Sequence, residues 1–446
     1  MRKILLVTLV FLSGFNIRAQ ENPQGRTFQF NLQECLQYAY ENQDSIKNAK
    51  LDIESAKYKV KETIGIGLPQ VSGTAQFQDY LKIPTTLIPG EVFGQPGTLV
   101  PAQFGVKYQS NAALAVNQLL FNGSYLVGLK ASRTYKELSE RNFNRTKIST
   151  TVSVTKAYYQ VLVSNEQIRL LDANVSQLEQ QLKETTELNK QGFVEKIDLD
   201  RLRVIYNNLL TTRENTQRLL VLSTQLLKFQ MGMPVTDDLQ VKDKISAINM
   251  DVNTSVAVDT SAYKNRIEYG LLETQRKLND LNVQRLKSEY LPTLSAFGNS
   301  SYQYQADQFS DLFDKSYPMT VVGLQLNIPI FSGFQRKYQV KQAQIEVKKT
   351  DNILNNAKNG ILLQQEQSRI MYQNGMKSLN NQKANMELAR EVLRVSKIKY
   401  QEGVGSSIEV TQAQTELEQA ENNYIQALYD ALVSKVDLDN AYGRIQ

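Results

Sequence analysis

The sequence has no histidine and no tryptophan, and a single cysteine, Cys35, among 446 residues. Without histidine it can build neither a Ser-His-Asp triad nor a His-zinc site, and one thiol cannot form a thiolate cage. The eight methionines form no clustered array, so no metal and no cofactor is expected. Charge of one sign is also lacking: 51 Lys and Arg stand against 45 Asp and Glu, which is no nucleic-acid footprint. Past the N-terminal residues no run approaches the roughly 20 apolar residues of a spanning helix. The chain is therefore either soluble or crosses a membrane as β-strands. Nothing in this inventory suggests an enzyme.

The first residues do carry an address. Met1, Arg2 and Lys3 precede a mostly apolar run from Ile4 to Phe15, followed by Asn16-Ile17-Arg18-Ala19-Gln20. These are the parts of a secretory signal peptide, with cleavage expected after Ala19. The run is too short for a membrane anchor. Residues 1–19 hold Arg2, Lys3 and Arg18, so their removal leaves 48 basic residues and a net charge near +3. Cys35 lies well past the cleavage point, in a helical pattern, and is expected as a buried thiol rather than a lipid-anchored first residue.

The remainder is written twice. Leu68-Pro69-Gln70-Val71-Ser72 recurs as Leu291-Pro292-Thr293-Leu294-Ser295, and Leu120-Phe121-Asn122-Gly123 as Ile330-Phe331-Ser332-Gly333. Gly192 in Lys190-Gln191-Gly192-Phe193-Val194 answers Gly403 in Gln401-Glu402-Gly403-Val404-Gly405, and Met231-Gly232-Met233 answers Tyr442-Gly443-Arg444. The last three landmarks are displaced by 210 or 211 positions. The expected organisation is a signal peptide at 1–19, a first repeat at 20–235, a linker or equatorial segment at 236–258 and a second repeat at 259–446.

Each copy has one internal order. A helix (Leu32 to Thr63; about Ala262 to Glu289) runs into the Leu-Pro, where proline disfavours helix in the residue before it. Two alternating segments follow, predicting strands over about 70–82, 107–120, 293–305 and 319–331. The clearest sets Val322, Leu324, Leu326, Ile328 and Ile330 against Val321, Gly323, Gln325, Asn327 and Pro329. Residues 83–106, with Pro84, Pro89, Gly90, Gly94, Pro96, Gly97 and Pro101, are expected to resist regular structure. Residues 306–318 bring Phe309, Phe313 and Tyr317, which suit a membrane-interface girdle or a hairpin packed on a soluble core. Residues 125–191 and 335–401 are then free of proline, and each would run about 100 Å as one helix. Leu171, Val175, Leu178, Leu182 and Thr185 make a coiled-coil seam. A second helix returns from each tip, over Ile197 to Gln230 and Ser407 to Tyr442.

Four amphipathic strands cannot close a barrel, and an open edge in hydrocarbon leaves backbone groups unpaired. Two chains would supply eight strands with a filled interior, and three would supply twelve, wide enough for a lumen. The segment from Lys399 to Leu417, KYQEGVGSSIEVTQAQTEL, resembles the helix-turn-helix tip of the TolC-like outer-membrane efflux protein family. The first-copy tip around Gly192, both Leu-Pro junctions and the Phe-x-Gly junctions fit the same pattern, over essentially the whole mature chain.

The resemblance implies an α+β membrane protein: a long α-helical coiled-coil barrel joined to a transmembrane β-barrel of four strands per chain, completed to twelve by trimerisation. It implies an exit duct of an efflux or type I secretion system, in the cell outer membrane with its helices in the periplasm. Its partners would be two further copies, a periplasmic adaptor, an inner-membrane pump and outer-membrane lipid. The family closes its entrance by coiling the tips inward, helped by acidic residues and a polar network. Residue by residue, the likeness places Glu409 at an entrance aspartate, Asp198 at its looser first-copy equivalent and Gln412 where a second acid can occur. Tyr400 matches a tyrosine of the closing network, while Gly405 stands where some members have its arginine partner. Gly192, Gly403, Gly405, Ser406 and Ser407 would meet the adaptor.

The tip also has a plain physical account. Gly403 and Gly405 permit a positive-φ reversal, Ser406 or Ser407 can cap the next helix, and Glu409 and Asp198 suit a helix start. Three rivals share some of these features. A periplasmic adaptor carries one hairpin in small β-domains rather than two copies with strands, a coiled-coil envelope fibre would show unbroken heptads, and a periplasmic enzyme would need clustered catalytic groups.

Overall fold

The computed structural model describes residues 27–94, 96–245 and 261–445, without the Phe93 side chain. The signal peptide expected at 1–19 lies outside the described residues, as does most of the 236–258 segment. No described helix is long and apolar enough to cross a membrane. The chain divides into two compact units, one gathering residues 27–43, 153–245 and 386–429, the other residues 44–152, 261–385 and 430–445.

The first unit contains β1 (Thr27–Phe30) and α1 (Leu32–Asn42). Asn31 caps α1 reciprocally: its Oδ1 accepts from the Glu34 amide at 2.9 Å, and Glu34 Oε2 accepts from the Asn31 amide at 2.7 Å. This is the capping box that satisfies two otherwise orphaned donors. A core forms around Cys35, Tyr158, Leu227 and Met231, all buried. Burial pushes the Cys35 thiol up to about 12, so it stays a neutral packing group.

The other helices that contribute to this unit are α3 (Gly123–Lys190) and α4 (Lys196–Met231), then α6 (Gln335–Gln401) and α7 (Ser407–Ala441). Leu171 and Leu178 of the expected seam are buried against Leu202 and Leu209, with Val175 and Leu182 packed on them and Thr185 buried. Met386, Leu393, Val410, Ala413 and Leu417 make the matching seam between α6 and α7. Each buried leucine contributes about 1.5–3 kcal/mol.

The second unit holds α2 (Asp44–Ile66), β2 (Gln70–Asp79), β3 (Thr85–Pro89), β4 (Leu99–Gln103) and β5 (Tyr108–Phe121). It also holds α5 (Ile267–Ser288), β7 (Thr293–Ala306) and β8 (Ser316–Asn327). Strands pair antiparallel in the order β2-β5-β7-β8. In the first unit, β6 (Asp238–Val241) adds to β1 in parallel, so the segment read as a linker contributes a strand.

Three sequence expectations change. The 83–106 segment is not irregular throughout, because β3 and β4 pair within it. A two-stranded ribbon consists only of edges, where the missing proline N–H of Pro89 and Pro101 is tolerated. The strand expected over 319–331 ends at Asn327, close to Pro329. The first helix of each copy is also interrupted. It breaks at Gln43 between α1 and α2, and at Arg266 between a 3-10 turn (Ala262–Asn265) and α5.

Both breaks meet a glycine. Gly232, with φ of 70°, caps α4, and a Cβ there would lie 2.7 Å from Gln43 Cα. Gly443, with φ of 66°, would place a Cβ 2.8 Å from the Asn265 carbonyl oxygen. The repeated Gly232 and Gly443 therefore mark two equivalent helix-end contacts, each closed by a Schellman pair: Met233 N to Lys228 O at 2.8 Å, and Arg444 N to Asp439 O at 2.9 Å.

Candidate functional site

The four-stranded sheet separates its side chains by chemistry. Following the register from strand to strand, Val71, Ala75 and Phe77 share a face with Leu114, Val116 and Tyr302, and then with Val322, Leu324 and Leu326. The opposite face carries Gln70, Ser72, Thr74, Gln76, Asn111, Asn117, Asn299, Gln303, Gln325 and Asn327. Leu119, Phe297, Tyr317, Met319 and Val321 are exceptions on that face, and Phe297 lies over Gly323, where a Cβ would come within 2.7 Å of its ring. The apolar face is bare in a single chain, with Val322 at 80% and Leu324 at 70% exposure. A sheet apolar on one side and amide-lined on the other is the pattern of a membrane barrel strand.

Aromatic rings sit at one end of the strands. Phe309 packs edge-on to Phe77 at 5.9 Å and to Tyr108 at 5.7 Å, and Phe313 meets Tyr304 at 5.3 Å. Phe331 and Phe334, beyond the other end of β8, meet edge-on at 5.5 Å. Strands of 10 to 14 residues suffice for the roughly 9–11 residues of a tilted spanning strand. Phe309 and Phe313 thus belong with the sheet, as a girdle requires.

A profile of the outer membrane efflux protein family matches residues 35–203 and 272–444. The chain belongs to that family. It is an outer-membrane channel, the exit duct of an efflux or secretion system, with its helical part in the periplasm, and not an enzyme. Outer membrane protein TolC of Salmonella enteritidis is 21% identical over 457 residues, covering 100% of this chain and 87% of the relative. Proteases secretion protein PrtF of Dickeya chrysanthemi is 20% identical, covering 75% of this chain and 72% of the relative. The crystal structure of the CmeC outer membrane channel of Campylobacter jejuni shares the fold, with a TM-score of 0.74 at 16% identity, covering 93% and 85% of the two chains.

In this efflux-family chain the two tips are built alike but not identically. Gly192 and Gly403 both hold positive φ, 78° and 75°, in open space. Gly405 does not have positive φ, contrary to the expectation from sequence. Its reason is crowding: a Cβ would lie 3.0 Å from Lys399 Cβ, and its amide donates to the Lys399 carbonyl at 3.0 Å. Ser406 supplies the cap of α7, its Oγ accepting from the Glu409 amide at 3.3 Å, so of the two candidate serines Ser406 holds that role.

The side chains named from the sequence fall into two groups. Asp198, Tyr400 and Ser407 line one small cavity between the tips. Burial and the nearby Asp198 carboxylate push the Tyr400 hydroxyl up from its ordinary value, and Asp198 pairs with Arg201 at 3.4 Å. Glu409 and Gln412 are on the exposed side of α7, where Gln412 donates to Glu416 at 3.0 Å. Three residues were missed: Gln181, Gln414 and Glu421. Along α7, positions 410, 414, 417, 421, 424 and 428 repeat by fours and threes, so Gln414 and Glu421 stand on the seam where apolar residues are expected. That misplaced polarity was the available signal.

Proposed function

We propose that three copies of this chain close one twelve-stranded barrel in the outer membrane, with the apolar face against lipid and the amide-lined face around an aqueous lumen. The single observation that carries this is a two-faced sheet whose edge strands, β2 and β8, have no neighbour on their outer sides among the described residues. An unpaired edge costs several kcal/mol per orphaned group in hydrocarbon, and twelve strands are the smaller multiple of four that leaves a lumen. In the same reading a periplasmic adaptor meets the tips at Gly192, Gly403, Gly405, Ser406 and Ser407, and an inner-membrane pump delivers the cargo. Glu409, Asp198, Gln412 and Tyr400 constrict the entrance. Residues 20–235 and 259–446 are the duplicated halves joined by 236–258, and residues 1–19 are removed on export.

Native mass spectrometry of the detergent-solubilised protein tests the assembly. The expected particle is a trimer of chains beginning at Gln20 and carrying no acyl group, and it conducts ions in a planar bilayer. A folded, stable monomer overturns the barrel reading, and an intact or acylated N-terminus overturns the leader assignment.

A further inference from the structure

The cavity between the tips measures about 20 Å³ and is lined by Gln181, Thr185, Asp198, Tyr400, Thr411 and Gln414 among others. Gln414 is 3% exposed. Its Oε1 and that of Gln181 are both fully buried, and neither has a hydrogen-bond partner within the protein. A buried acceptor left unmade costs the full desolvation of the group, so two of them facing one cavity call for a shared donor. A cavity of about 10–15 Å³ or more, with two to four polar neighbours, holds one water.

We propose that this cavity is a binding site for one ordered water, which donates one O–H to Gln181 Oε1 and the other to Gln414 Oε1. The hydroxyls of Thr185 and Thr411 are the candidate donors to its oxygen. A cation is the poorer occupant. The one carboxylate in the lining, Asp198, already pairs with Arg201, and Leu178, Leu202, Ile205 and Val410 supply much of the wall.

The water fastens the α3–α4 hairpin to the α6–α7 hairpin at a polar layer that also holds Thr185 and Thr411. Parting the hairpins there exposes amides that bulk water satisfies at once, so this layer yields more readily than the leucine layers around it. That consequence rests on reading the tips as the entrance; the bound water does not.

Two measurements decide it. A density map of the wild-type trimer fine enough to show waters should place one within hydrogen-bond distance of both amide oxygens. Hydrogen exchange of the tip amides should accelerate about five- to hundredfold in Gln181→Leu and in Gln414→Leu, since each leaves one acceptor orphaned. The double variant, with both acceptors gone, should return to the wild-type rate or below it. An empty or thallium-binding cavity, or single-variant effects that simply add in the double, overturns the proposal. Single-channel conductance of the same variants reads the entrance separately: a restored double variant with unchanged conductance throughout keeps the water and removes its gating consequence.

Discussion

Asn174 Nδ2 donates to Glu421 Oε2 at 2.6 Å, across 247 positions of sequence, and Glu421 is only 6% exposed. Its other oxygen accepts from Arg390 Nη2 at 3.1 Å. One carboxylate on α7 therefore ties α3 to α6 at a seam position. Glu421→Ala should loosen this contact by about 1.5–3 kcal/mol, the range for hydrogen bonds to a charged group. Arg390 is half exposed, so Arg390→Ala should cost less, about 1 kcal/mol or below. Hydrogen exchange along residues 417–425 checks the order; an Arg390→Ala effect as large as that of Glu421→Ala refutes it.

Acid should weaken the second unit through Glu268. Burial pushes this carboxyl up, but the hydrogen bonds and charge of Arg266 outweigh it and hold the group below its ordinary 4.5. A depressed carboxyl stabilises fully above its unfolded value, and the contribution is lost as pH falls through the folded one. Exchange of the α5 amides should therefore rise below about pH 4.5 in the wild type. In Glu268→Gln that pH step should shrink; an unchanged step assigns it elsewhere.

Two pairs of glycines should respond differently to alanine. Gly192 and Gly403 face open space, so alanine there meets only the cost of the left-handed backbone, about 1–2 kcal/mol. Gly232 and Gly443 add a backbone collision below 3.0 Å, which no side-chain rotation relieves. Gly232→Ala and Gly443→Ala should lower the thermal stability of the purified protein more than Gly192→Ala and Gly403→Ala do. Equal losses at all four positions contradict the packing account.

The entrance assignment has its own test. In the proposed trimer, a ring of three Glu409 carboxylates at the entrance would form a negative collar, and charged rings set selectivity in pores. Glu409→Ala should weaken cation preference and relieve block by trivalent ions in planar bilayers. Asp198→Ala should do less, because Asp198 is already paired with Arg201. A helix-start role for Glu409 predicts instead about 0.3–1 kcal/mol of stability with selectivity unchanged, and that result retires the collar.

The four strands of the sheet and the Leu171 to Thr185 seam were legible in the sequence because each rests on a local period that one segment states by itself, and the two long helices because no proline interrupts residues 125–191 or 335–401. The tertiary structure decided what depends on distant neighbours. Cross-strand register showed that Val71, Leu114 and Val322 share one face. The approach of Gly232 to Gln43 accompanies the helix break there, and Gly405 proved to be glycine for want of room rather than for its φ. Gln181 and Gln414 come together only when two hairpins pack, and Glu421 needs Asn174, which lies 247 residues away. Periodicity reports which face of an element is apolar; what that face meets is a property of the packed chain.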